Sequence, residues 1–253
     1  MGWLFDAFGW LADGENWGGT DGVANRLVEH VWLSVAAVAI ACLLALPPAV
    51  WLGHIGRGGV LAVNVTNVGR AVPTFAVLTL LALSPSPFGL NTTSTLTALV
   101  LFALPPILTN TYVGMREVDP GAVDAARGMG MSGWEVVRRV ELPLAVPLVM
   151  AGVRLAATQV VATATIAALV AGGGLGRIIT AGYARQDQPQ LVAGAIVVAL
   201  LALAVEVLME VVQRVSDPMR RANRTRTAHA SAAEPAQDRD DLVTEGGMKG
   251  TPL

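Results

Sequence analysis

The chain has 253 residues, 53% hydrophobic and only 14% charged, where a soluble globular domain carries about a quarter charged residues. The deficit excludes a soluble enzyme. A formal net charge of -2 with scattered basic residues excludes a nucleic-acid binder, which would gather them on one face. The single cysteine, Cys42, excludes a disulfide framework or a thiolate zinc cluster within one chain.

The first 25 residues contain Asp6, Asp13, Glu15 and Asp21 but no lysine or arginine, the opposite of a secretory leader, which opens on basic residues. Trp3, Phe5, Phe8, Trp10 and Trp17 suit the membrane–water boundary. Residues 1–26 are therefore expected to form a short interfacial helix and a glycine-rich loop on the outer face.

No Asp, Glu, Lys or Arg occurs in residues 31–56, 71–115, 155–176 or 188–205. A hydrocarbon core about 30 Å thick takes about 20 apolar residues of helix, so these gaps mark membrane spans. With turn residues as punctuation they predict five spans, at 27–52, 60–83, 92–113, 144–170 and 191–212. The alternate loops on one side carry ten arginines, Arg57, Arg116, Arg127, Arg138, Arg139, Arg214, Arg220, Arg221, Arg224 and Arg226, against Arg26, Arg177 and Arg185 on the other. Cytoplasmic loops retain positive charge, which places the N-terminus outside and the C-terminus in the cytoplasm. From about residue 223 the chain has few large apolar residues and is expected to be a disordered cytoplasmic tail.

Arg154 lies 12 residues after Leu142-Pro143, roughly 18 Å at helical rise, too deep for easy escape to the interface. It is expected to pair with Glu206, near the inner end of the fifth span, or to face a water-filled cavity. Arg70 has two open readings, intramembrane or at the start of a span that begins near Ala71. His30 and His54, near the ends of the first span, read as interfacial groups and not metal ligands, and no metal site is expected. Thr163 and Thr165, among many alanines on the fourth span, suit helix packing or a polar cavity lining.

The charged segment between the third and fourth spans has explicit local physics. Asp119 before Pro120 is an N-cap with proline at the first helical position, so a helix runs through Arg127 and stops at Gly128 or Gly130. Ser132 and Glu135 form a capping box that starts a second helix through Val140, which Leu142-Pro143 ends. Taken alone, this is a helix–turn–helix on the cytoplasmic side.

Its spacing is Asp124-Ala125-Ala126, three residues, Gly130, nine residues, Val140, one residue, Leu142-Pro143. This resembles the EAA loop of permease subunits in ABC importers, with Asp124 for glutamate and Val140 for isoleucine. Asn110-Thr111-Tyr112-Val113-Gly114, the runs ARGMGM, VELPLAVP and AGVR, and AGGGLG at 171–176 resemble the branch that carries glycine betaine, carnitine and choline. The resemblance implies a type I importer permease, an all-α, multi-pass protein of the cytoplasmic membrane. It divides the chain into an outer segment 1–26, a permease domain 27–215 with a coupling loop at 115–141, and a tail 216–253. It assigns Asp124, Ala125, Ala126, Arg127, Gly130, Leu142 and Pro143 to coupling, and leaves Arg154, Glu206, Tyr112, Thr163 and Thr165 as candidates for the pathway or an intramembrane pair.

The only lysine is Lys249 and there is no G-x-x-x-x-G-K-[ST] loop, so this chain holds no ATP phosphates through such a lysine. The resemblance implies no cofactor in this chain, with ATP and magnesium on a partner subunit. The other implied partners are a second permease subunit, identical or homologous, an extracytoplasmic substrate-binding protein and lipid. Of 13 aromatic residues, only Trp32, Trp51, Phe75, Phe102 and Tyr112 lie in the spans, too few for an aromatic cage around a quaternary ammonium. Selection is therefore expected on the binding protein. Two alternatives remain: a permease for another small solute such as an amino acid, and a secondary transporter or channel without ATP.

Overall fold

The computed structural model describes residues 2–59, 64, 69, 71–170 and 172–216. The expected tail beyond residue 216 and Arg70 lie outside the described residues, as does much of the second expected span. The described elements are all helical: α1 (Gly2–Ala12), a 3-10 turn (Gly14–Trp17), α2 (Val23–His54), α3 (Thr74–Ala82), α4 (Thr92–Arg116), α5 (Pro120–Gly128), α6 (Gly133–Val136), α7 (Leu142–Ala167), α8 (Gly176–Arg185) and α9 (Gln188–Ser216). Among the described residues, four helical stretches are long and apolar enough to cross a membrane, Val23–His54, Thr92–Arg116, Gly133–Val170 and Gln188–Ser216. They contain the first, third, fourth and fifth expected spans.

The core lies where α2, α4 and α7 meet. Leu33, Ala37, Ala41 and Ala45 recur every four residues along α2, so they form one ridge. Against it pack Leu99, Ala103 and Ile107 of α4 and Ala156, Val160 and Ala164 of α7. Small residues let helices approach closely where lipid and core are equally apolar. A Cβ on Gly152 of α7 would sit 2.7 Å from Asn110 Cβ and 2.8 Å from the Pro106 carbonyl of α4. That contact needs glycine. The last helix, α9, packs on α7, α8 and α1, but leaves Leu200, Leu203, Val207, Leu208, Val211 and Val215 exposed.

One expectation is corrected. Leu142-Pro143 does not end the second loop helix: the chain stays helical from Gly133 to Val170 by passing through a π turn at Val137–Glu141. In that turn the Leu142 N–H reaches back to the Val137 carbonyl. Proline has no N–H and crowds the carbonyl four residues earlier, so the wider turn lets Pro143 enter without breaking the helix. The segment after the glycine cluster contains a ten-residue helix, α8. Leu175, just before it, and its Ile178 and Gly182 are buried, a pattern masked in the sequence by Arg177, Arg185 and the flanking glycines.

Candidate coupling site and intramembrane pair

The loop between α4 and α7 is built as its capping residues dictate. Asp119 Oδ1 accepts the Gly121 N–H at 2.9 Å, and α5 begins at Pro120. The Ser132 N–H donates to Glu135 Oε2 at 2.9 Å while Ser132 Oγ accepts the Glu135 N–H at 3.4 Å, closing the capping box. Between the two helices Gly130 takes φ +85° with nothing near its Cα face, so its requirement is conformational and not steric.

On α5, Asp124, Ala125 and Arg127 are exposed. Ala126 is not. It is 2% exposed and faces the protein itself. Leu142 and Pro143 are half-buried, at the start of α7. The residues that extend the exposed surface are Met129 and Trp134, 72% and 71% exposed at the loop tip. Sequence reasoning passed over both, and the available signal was a large apolar side chain on each side of a glycine turn.

The loop is tied to the C-terminal end of α2. His54 Nδ1 lies 2.7 Å from Glu141 Oε2, and Glu141 is buried. Beside this pair a cleft of about 760 Å³ is lined by Pro47, Val50, Trp51, Trp134, Val137 and Arg138. His54 is thus engaged within the protein.

Arg154 and Glu206 meet between α7 and α9. Arg154 Nε donates to Glu206 Oε1 at 2.8 Å, and its Nη2 reaches the same oxygen. Thr158 Oγ1 donates to Glu206 Oε2 at 2.7 Å, and Arg154 Nη1 donates to Gln213 Oε1 at 3.3 Å. Glu210 stands 3.9 Å from Arg154 Nη2 and pairs with Arg214. The other candidates do not join this group. Thr163 is buried and Thr165 half-buried farther along α7, about 14 and 16 Å away at helical rise. Tyr112, on α4, places its hydroxyl 2.9 Å from where a Cβ on Gly59 would sit.

At the other end of the molecule, His30 is corrected from interfacial to fully buried. The ring is held there by backbone partners: Nε2 lies 3.1 Å from the Val161 carbonyl and Nδ1 3.2 Å from the Leu175 N–H. Nearby, outside the spans, the Arg26 guanidinium holds the Asp21 carboxyl below the usual carboxylate value. Among the described residues no cluster of His, Cys, Asp or Glu is placed to hold a metal.

Residues 37–222 match the family of binding-protein-dependent transport system inner membrane components. The chain belongs to this family. Such permeases generally work with an ATPase and a substrate-binding protein, and are transport components and not enzymes. The chain is 32% identical to the glycine betaine/carnitine/choline transport system permease protein OpuCB of Bacillus subtilis (strain 168), over 75% of this chain and 86% of that one. It is 37% identical to the carnitine transport permease protein OpuCB of Listeria monocytogenes, over 72% and 84%. The permease fold also superposes on the MetNI methionine ABC transporter with a TM-score of 0.64 at 19% identity, over 77% of this chain and 95% of that one. It is an all-helical, multi-pass permease of the inner membrane.

Proposed function

We propose that this permease imports quaternary ammonium osmoprotectants such as glycine betaine, carnitine or choline. The relatives named above carry these solutes in their names. The aromatic side chains of the spans support selection on a separate binding protein: Trp32 and Trp51 lie 19 residues apart on α2, roughly 28 Å at helical rise, too far to share one cage. The N-terminus is placed outside and the C-terminus in the cytoplasm, on the arginine bias of the loops. Two such subunits, identical or homologous, would form the path, with ATP and magnesium held by the ATPase.

The observation that carries the coupling role is α5, a capped helix that projects Asp124, Ala125 and Arg127 between two spanning helices. We infer that this face, extended by Met129 and Trp134, seats in a groove of the ATPase. Ala126 and Gly130 shape the loop, and Leu142-Pro143 joins it to α7. A secondary transporter would need acids free in mid-membrane, and both candidates are engaged, Glu206 by Arg154 and Thr158, Glu210 by Arg214. The test is uptake of labelled glycine betaine into vesicles holding the permease, its ATPase and its binding protein. ATP-dependent uptake supports the reading; uptake that persists without ATP, or of amino acids only, overturns it.

A further inference from the structure

The turn that leads from the fourth spanning stretch into α8 is built of glycines, so its backbone has little rigidity of its own. Yet it is held closely. Gly174 sits at φ +81°, and a Cβ there would lie 2.8 Å from His30 Nδ1. A Cβ on Gly173 would collide with the Glu29 carboxylate. The Gly174 N–H donates to Glu29 Oε2 at 2.9 Å, and Arg26 Nη1 holds the same oxygen at 2.7 Å. The Leu175 N–H points at His30 Nδ1. Two adjacent residues of α2 therefore supply the order that the glycines lack.

The partners of His30 leave its ring one arrangement. A backbone N–H can only donate, so Nδ1 must accept from Leu175; a carbonyl can only accept, so Nε2 must carry a proton and donate to Val161. This describes a neutral imidazole in the Nε2–H form. A proton on Nδ1 would face the Leu175 N–H and break that bond. The charged groups nearby, Glu29 and Arg26, lie on its own helix, while the facing turn is Gly-Gly-Gly-Leu and the facing residue of α7 is Val161.

We propose that His30, as a neutral Nε2–H imidazole, is a positioning residue that clamps the glycine turn and the far end of α7 to α2, so that the three move as one body during transport. The proposal rests on the permease reading for its functional part.

The test has two arms. In the first, the assembled transporter labelled with 15N-histidine is examined by NMR at pH 7, with the His30 signal assigned by its loss in His30→Asn. An unprotonated Nδ1 and a protonated Nε2 are expected; an Nδ1–H tautomer or an imidazolium overturns the proposal. In the second, uptake is compared for three variants. His30→Asn keeps an acceptor near the Nδ1 position, His30→Gln keeps a donor near the Nε2 position, and His30→Leu keeps neither. His30→Leu is expected to lower uptake about tenfold or more, with Asn and Gln between it and the parent. Equal uptake by His30→Leu and the parent overturns the positioning role. If His30→Leu does not assemble, Asn and Gln decide: partial uptake by both supports the clamp, and parental uptake by both contradicts it. Absence of uptake by the parent would defeat the permease reading alone and leave the NMR result standing.

Discussion

Arg154 Nε donates a 2.8 Å hydrogen bond to Glu206 Oε1, across 52 positions of sequence and between α7 and α9. The pair gives a deep arginine a counter-charge, and Thr158 takes up the second carboxylate oxygen. Because α9 buries few of its residues, this polar contact helps fix its register against α7.

When one member is removed the other keeps a partner, Thr158 for Glu206 and Gln213 for Arg154, so the coupling lies below that of an isolated ion pair. A double-mutant cycle with Arg154→Gln and Glu206→Gln should give a coupling of about 1 kcal/mol. Apparent melting temperatures in lipid nanodiscs supply the measurement, with each single variant lower and the double variant lower by less than the sum. Strict additivity would show that the two side chains do not act together.

Gly152→Ala should destabilise by about 1–3 kcal/mol, because its methyl would overlap Asn110 and the Pro106 carbonyl. Gly128→Ala, with nothing within 4 Å of the added carbon, should leave the melting temperature unchanged within error. Equal shifts for the two would contradict the close α4–α7 contact.

Glu141→Gln and His54→Leu should each loosen the coupling loop from α2, since each removes one side of a contact that joins residues 87 positions apart. Hydrogen exchange reads this directly: amides of residues 133–141 should lose protection while those of the α2–α4–α7 core keep theirs. Unchanged protection in both variants would show that the π turn is anchored without this pair.

Much of this architecture is readable before any coordinates. Four spans follow from gaps in charge, and the loop helices from Asp119-Pro120 and Ser132 with Glu135, because caps are local and act within a turn of the residues that make them. Arg154 with Glu206 follows from the cost of an unpaired charge at depth. Other features depend on what packs against what. The inward face of Ala126 is set by the protein surface under α5, not by its own helix. Passage of the helix through Pro143 depends on a π turn that propensity does not signal. His30 is buried by a glycine turn that meets it 145 positions later, a contact no local pattern encodes.

On α5 the two alanines of the motif should separate by mechanism. Ala126→Asp places a charge in a site that is 2% exposed and should lower the stability of the loop itself, by roughly 1–3 kcal/mol. Ala125→Asp, on the exposed side, should leave folding intact and reduce uptake, while Asp124→Glu should be nearly silent. Equal loss of stability in Ala125→Asp and Ala126→Asp would contradict this assignment of faces.

The central claim is that the exposed face of α5 seats in the ATPase, and disulfide cross-linking tests it most directly. Cys42 is the only cysteine, so a Cys42→Ser background gives a clean start for Ala125→Cys or Met129→Cys, paired with cysteines placed in the ATPase groove. The account predicts that both positions cross-link to the ATPase in the assembled transporter and that cross-linking stops uptake. Assembly and uptake at normal levels with no cross-link from either position, while cysteines elsewhere on the permease do cross-link to the ATPase, would contradict it.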